Sequence, residues 1–297
     1  MRLAHRPSRR LESLRAAAVG EMRSGEGGMV DFPRVVFVVA LAELHGTVEA
    51  EAAALAADLG MTAYEARLLL VAGMPAVVKT TDDRAVALDR LAALRARGHG
   101  AIACDLSAVV PSSAMTRIQR FEIDDGAITL RDHPDGRLPF DDVLVLIAAV
   151  HREHTDTTTT TRETKFSMQR ALLTGGVAMT KTVSKEARST VDEREGVLYV
   201  FRRSGPPPWI LHERSTAWTG LPVLAPTASE NFRATMALLR ERAPGAAFDD
   251  RLVTRRAPER TALSGASGGA TVRSSNEAGV DLLAHLIALW TARGAYR

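Results

Sequence analysis

From residue 33 onward the apolar positions alternate between two periods. Val35-Val36-Phe37-Val38-Val39 is a continuous β-rich run, which predicts a strand buried on both faces or at a sheet centre. An alanine-rich helix is predicted from about Thr47 to Asp58, with Val48, Leu55 and Leu59 as its larger apolar groups and Gly60 as its stop. Thr62 and Glu65 are spaced as a capping box, and Ala63, Ala66, Leu69 and Leu70 follow at helical spacing, so a second, packed helix starts there. Ala76 to Lys79 allow a short strand or turn. Asp82 and Asp83 stand where acids favour a helix start, Leu88, Leu91 and Leu94 form the apolar stripe behind them, and Arg95 and Arg97 precede Gly98. A strand from Ala101 to Leu106 ends the unit, giving β-α-α-β-α-β or the same with one strand missing.

Beyond residue 110 the pattern shortens. Pro111-Ser-Ser reads as a linker; Phe121 to Ile123 and Ala127 to Leu130 flank Asp124-Asp-Gly126 as a hairpin with explicit turn chemistry. A turn at His133 to Gly136, Leu138-Pro-Phe140 and the apolar run Val143 to Val150 follow. Residues 153–194 are polar, with threonine from 157 to 161, and are expected to form a loop or insertion. Gly196 to Arg202 is the clearest late strand, and Trp209 to Glu213 a partner for it. Thr227 and Glu230 repeat the capping box ahead of a helix over 228–242, with Phe232, Met236 and Leu239 at core spacing. Residues 256–275, Ser/Gly-rich from 261, read as a flexible tether, and 276–297 as an amphipathic helix with Val280, Leu283, Ile287 and Trp290 on one side.

The stretch "ALAADLGMTAYEARLLLVAGMPAVVKTTDDRAVALDRLAALRARGHGAIACD" resembles the C-terminal domain of the bacterial ribosomal stalk protein, L seven/L twelve. The resemblance spans about residues 33–106, and its features fall on Gly60, Tyr64-Glu65-Ala66-Arg67, Pro75, Asp82 with Asp83, Gly98, and Ala101 to Asp105. It implies a small α/β sandwich in which the helix over 62–71 is a packing element, and a module that recruits protein factors. Lys and Arg on the first helix attract those factors in the family. At the corresponding places this chain has Ala53 and Ala56, and Arg67 alone keeps a basic position of the second helix. Without that charge, electrostatic steering of an acidic partner is largely lost, so the fold is expected to be kept without the ribosomal role. Several strands closed by one helix, over 116–255, loosely resemble a pleckstrin-homology-like barrel in element order.

The expected class is therefore α+β, with a stalk-like domain at 30–108, a mostly β domain at 116–255 and a terminal helix. Composition suits it: 46% hydrophobic and 25% charged residues over 297 positions suffice for two ordinary domains. Aromatics at 5% are too few for rows of base-stacking rings. The net charge of +3 sits in residues 1–28, where six Arg face three Glu, leaving 32 basic and 32 acidic residues in the rest. That basic tail, over 1–29, is expected to be an ill-ordered extension, with Met22 or Met29 as the functional start; an RNA or ribosome contact is its alternative role. One cysteine, Cys104, precludes an internal disulfide and a cysteine-built metal cage. With neither a signal-peptide core nor a run long enough to span a bilayer, a cytoplasmic protein without membrane contact is expected.

Four motifs carry potential chemistry. "TGGVAMTKT", residues 174–182, matches a phosphate-binding loop at Gly175, Lys181 and Thr182, but Thr180 holds the second glycine position and no β-rich run feeds it. "GASGG", residues 265–269, spells a nucleophile elbow around Ser267 without the strand before it. His151 and His154 flank Glu153; on a helix both imidazoles would share a face, yet no further ligands cluster nearby, so solvated histidines are expected. The pairs Asp124/Asp125, Asp141/Asp142 and Asp249/Asp250 abut turns or element starts, where Asp has a local structural role. No cofactor or metal is expected, and no catalytic set is complete.

What is left is a non-enzymatic adaptor or regulatory protein that binds another, unidentified protein. Arg67, Trp209, Trp218, Trp290 and Ile287 are the candidate contact residues, two of the tryptophans lying near the extended Pro206-Pro-Pro208 segment. The alternatives are a nucleotide-binding enzyme built on Lys181 and a ribosome- or RNA-associated factor using the Arg-rich tail.

Overall fold

In the computed structural model, residues 35–133, 136–166, 180–205, 207–266 and 269–293 are described. Strand β1 (Phe37–Glu43) overlaps the β-rich run anticipated at 35–39 only at residues 37–39 and continues to Glu43, and it is the middle strand of a three-stranded antiparallel sheet. Helices α1 (Val48–Leu59) and α2 (Ala63–Val71), strand β2 (Ala76–Thr81), helix α3 (Arg84–Ala96) and strand β3 (Gly100–Asp105) complete it in the order β2-β1-β3. The local signals act as expected. Thr47 caps α1, Gly60 ends it in the left-handed region, Thr62 and Glu65 form a reciprocal capping box on α2, and Asp83 caps α3. Gly73, at φ +96°, and a cis Met74–Pro75 peptide then turn the chain into β2.

One face of this sheet, through Val39, Leu41 and Ala101, packs on Leu55, Ala66, Leu70, Ala87, Leu91 and Leu94 of the three helices. Leu88, expected in the stripe of α3, is exposed, and Ala87 takes its place inside. The other face, through Ala40, Ala42 and Ile102, belongs to a different core, which explains why β1 is apolar at consecutive positions rather than alternate ones.

That second core is organised by the terminal helix. Strands β4 (Thr116–Arg117), β5 (Phe121–Ile123), β6 (Ala127–Leu130) and β7 (Arg137–Pro139) lead into two long strands, β8 (Val143–Phe166) and β9 (Thr180–Arg202). Strand β10 (Trp209–His212), helix α4 (Ala228–Arg242), strand β11 (Ala247–Asp250) and the single turn α5 (Arg251–Thr254) follow. The chain closes with strands β12 (Arg260–Ala266) and β13 (Gly269–Ser275) and helix α6 (Glu277–Ala292). The main sheet runs β12-β13-β8-β9-β10-β4, with β11 paired to β8, while β5-β6-β7 forms a separate small sheet. Alternate residues divide its two faces. Val145, Ile147, Ala149, Val197, Tyr199 and Ile210 face α6; Leu146, Ala148, Leu198, Val200, Trp209 and Leu211 face α4 and the small sheet. Helix α6 buries Val280, Leu283, Ala284, Leu286 and Ile287 in the same cluster that holds Ala40 and Ile102 of the first sheet. Each large aliphatic group so buried contributes about 1.5–3 kcal/mol.

Three expectations are corrected here. The polar stretch 153–194 is not a loop insertion where it is described: residues 153–166 and 180–194 extend β8 and β9 as a continuous antiparallel ladder that pairs Glu153 with Glu193 and Phe166 with Thr180. A run of threonines is polar but β-branched, and such side chains fit a pleated strand well. The presumed tether at 256–275 contains the β12–β13 hairpin, whose second strand pairs with β8 from Glu153 to Thr159. The described strands form open sheets rather than a closed barrel, so the pleckstrin-homology-like description is not met; the class is α+β. By contrast, the 121–130 hairpin and the helix at 228–242 stand where the sequence placed them, and Asp124 accepts from the amides of Gly126 and Ala127 as the turn chemistry required.

Candidate functional site

Helix α2 is apolar on two sides. Ala66 and Leu70 point into the core, whereas Tyr64, Leu68 and Val71 are 69%, 52% and 65% exposed. These three stand at i, i+4 and i+7, one stripe along the outer face of the helix. Arg67 lies on the same exposed surface, and its guanidinium comes only within 3.9 Å of Glu49 on α1, a solvated pair that contributes little. Between Glu49 and Asp58 every exposed position of α1 is alanine: Ala50, Ala53, Ala54 and Ala57. The outer surface of the α1–α2 hairpin is therefore small-residue and apolar. Of the expected contact residues only Arg67 falls on it. Tyr64, Leu68 and Val71 went unassigned because reading α2 as a packing element accounts for one apolar face; the second was legible in the excess of apolar positions.

The aromatic candidates lie elsewhere. Trp209 and Ile287 are buried, on opposite faces of the main sheet, so neither offers a surface to a partner. Trp290 is half-buried and packs on the backbone of Gly100, where an added Cβ would stand 2.6 Å from the indole. It fastens α6 to β3. Trp218 is half-buried, edge-on to Phe232. Of Pro206-Pro-Pro208, Pro206 lies outside the described residues.

A second cluster was missed by sequence reasoning because its members lie on five separate segments. Asp281 of α6 is buried and accepts three hydrogen bonds, from the Ser112 amide at 2.9 Å, from the Ser112 hydroxyl and from the Tyr199 hydroxyl at 2.7 Å. With the Tyr199 proton committed to Asp281, the contact of 2.7 Å between Tyr199 and His151 Nε2 requires the imidazole to donate. His151 thus carries a proton on Nε2. Burial pushes its pKa from 6.5 to about 4, aided by His212 and opposed by Asp281 and Glu195. Tyr199 is raised well above its ordinary value by burial, then by the Asp281 charge. The His212 ring stands 6.0 Å from that of His151 and contacts Glu195 through Nδ1 at 3.1 Å; its Nε2 is buried without a partner. Glu277, at the start of α6, is raised by burial and by Asp281. The cluster joins α6 to β8, β9 and β10 through the linked hydrogen bonds of Ser112, Asp281, Tyr199 and His151, with His212 Nε2 left without a described partner at its edge.

His151 is therefore not the solvated histidine expected, whereas His154 is only half-buried and is held above its ordinary pKa by Asp192 at 2.5 Å. On a strand, residues three apart face opposite sides, so the two cannot share a ligand. No group of three or more potential metal ligands occurs among the described residues. Lys181 and Thr182 lie on β9, paired with Lys165 and Thr164, so they belong to a ladder; Gly175 lies outside the described residues, as do Ser267 and the Arg-rich tail. The expected local role holds for Asp124 and for Asp249, which pairs with Arg251, but not for Asp142, which accepts from the distant Arg202 and Ser204, nor for Asp125, which pairs with Arg242.

No protein-family model matches the chain, and no curated protein or solved structure is similar to it. Among the described residues no helix is long and apolar enough to cross a membrane.

Proposed function

We propose that the protein is a non-enzymatic binding protein that docks another protein on the α1–α2 hairpin. The observation that carries this reading is the exposed stripe Tyr64, Leu68 and Val71, for which a folded core has no use. The chemistry of the stripe defines the partner's surface: an apolar patch that accepts a Tyr and two aliphatic groups, with one hydrogen-bonding or acidic group at the rim for Arg67. The resemblance of residues 33–106 to the ribosomal stalk domain, a recruiting module, supports the assignment, as does the β-α-α-β-α-β order. The alanines along α1 favour contact by shape over long-range attraction, in keeping with a role apart from the ribosome. A reducing, cytoplasmic setting is part of the proposal, consistent with a single, half-buried cysteine.

A photo-crosslinking residue at Val71, used in the native cell, tests it. A discrete adduct that disappears in Leu68→Glu, with the melting temperature of that variant unchanged, is the expected result. A central apolar contact of this kind is worth about 2 kcal/mol, roughly 30-fold in affinity. Absence of any adduct, or an adduct indifferent to Leu68→Glu, refutes the proposal.

A further inference from the structure

A cavity of about 520 Å³ opens between the α2–β2 turn and the segment following β11, lined by Gly73 and Met74 on one side and by Arg251, Thr254, Arg255 and Arg256 on the other. Three guanidinium groups on a six-residue segment repel one another unless something compensates them. Arg251 is compensated, bound to the buried Asp249 through Nε at 2.9 Å and Nη2 at 2.5 Å. Arg255 is not. Its Nε and Nη1 are buried with no hydrogen-bond partner among the described residues, and it forms no ion pair with any of them. Burial and the neighbouring Arg251 lower its pKa from the ordinary arginine value to about 10. Arg256, which is exposed, also lacks an ion pair with any described residue. The C-terminal end of α2 reaches the same cavity at Ala72, but a helix terminus offers about half a negative charge, and its carbonyls do not bond the two orphan nitrogens of Arg255. Arg255 and Arg256 therefore bring two positive charges to this cavity without a described ion pair; Arg255 is half-buried, and Arg256 also borders a neighbouring cavity that carries Glu153, Asp192, Glu193 and Glu259.

Arginine forks match tetrahedral oxyanions in geometry as well as charge, and two uncompensated guanidiniums balance a doubly charged one. The volume exceeds what a lone oxyanion fills and falls within the range of small-molecule sites. We propose that this cavity binds a phosphate-type dianion, as inorganic phosphate or as the phosphate end of a small phosphomonoester. The site is independent of the contact stripe on α2, since neither Arg255 nor Arg256 belongs to that surface.

Thermal melting of the full chain tests the proposal, with phosphate replacing chloride at constant ionic strength and about pH 8.5, where inorganic phosphate and a phosphomonoester are both almost wholly dianionic. About 20 mM phosphate is expected to raise the wild-type melting temperature by roughly 3 °C. Arg255→Met removes the shift and, having lost an unpaired buried charge, melts no lower than wild type in chloride. Arg256→Gln, a change at an exposed position that leaves the core untouched, reduces the shift and decides the matter should Arg255→Met fail to fold. A larger shift with glycerol 3-phosphate than with inorganic phosphate assigns the phosphomonoester, and an equal shift the bare dianion. No shift in wild type overturns the proposal. So does an equal shift in wild type and the variants, which is the general stabilisation that phosphate gives any fold through exclusion from its surface.

Discussion

Acidification singles out His151. The neutral imidazole donates to Tyr199 while Tyr199 donates to Asp281, and burial holds the folded-state pKa at about 4 against 6.5 for the free side chain. Between those values the unfolded chain binds a proton that the folded chain does not, so stability rises with pH there; it is intact above 6.5 and lost as pH falls toward 4. At about 1.4 kcal/mol per pH unit, the loss at this one residue approaches 3 kcal/mol, a large share of a typical folding free energy. Other groups titrate in the same range. His99 and His285, both lowered by burial, add to the acid loss, and His154, raised by Asp192, opposes it. Replacing His151 by Gln isolates the effect, because the amide can still donate to Tyr199 but does not titrate. Urea unfolding of both proteins at about pH 7.5 and pH 4.5 should show wild type losing about 2–3 kcal/mol more than His151→Gln. Equal losses in the two proteins would mean that His151 is not the buried neutral donor described above.

Two further outcomes follow from the packing. Gly279 lies within α6, where Ala ordinarily stabilises a helix by about 1 kcal/mol, yet a Cβ there would stand 2.4 Å from the carbonyl oxygen of Pro258. Gly279→Ala is expected to cost about 1–3 kcal/mol in urea unfolding, and a stabilised variant would show that the chain gives way at Pro258. Cys104, whose thiol burial and Asp105 push up to about 11 from 9.0, should react with a thiol reagent about 100-fold more slowly in the folded protein than after unfolding at the same pH; comparable rates would contradict its burial.

Short-range physics was legible along this chain. The caps at Thr62 and Thr227, the stop at Gly60 and the Asp124 turn all rest on interactions within a few residues, and they stand in the structure as the sequence indicates. Where polarity alone suggests a loop, at 153–194 and 256–275, the structure differs. A ladder's backbone bonds come from a partner strand, here as distant as Ser275 from Glu153, and Thr side chains accept either an exposed strand or a loop. The terminal helix shows the same division. Its apolar side at Val280, Leu283 and Ile287 is written in its periodicity, but only the tertiary structure decided that two sheets of this chain close over it. The contacts of Asp281, Tyr199 and His151, and the excess charge left on Arg255 beside the α2–β2 turn, belong wholly to that second category. Amphipathicity is encoded by spacing along one segment, whereas burial, charge compensation and exposure depend on which distant segments arrive opposite it.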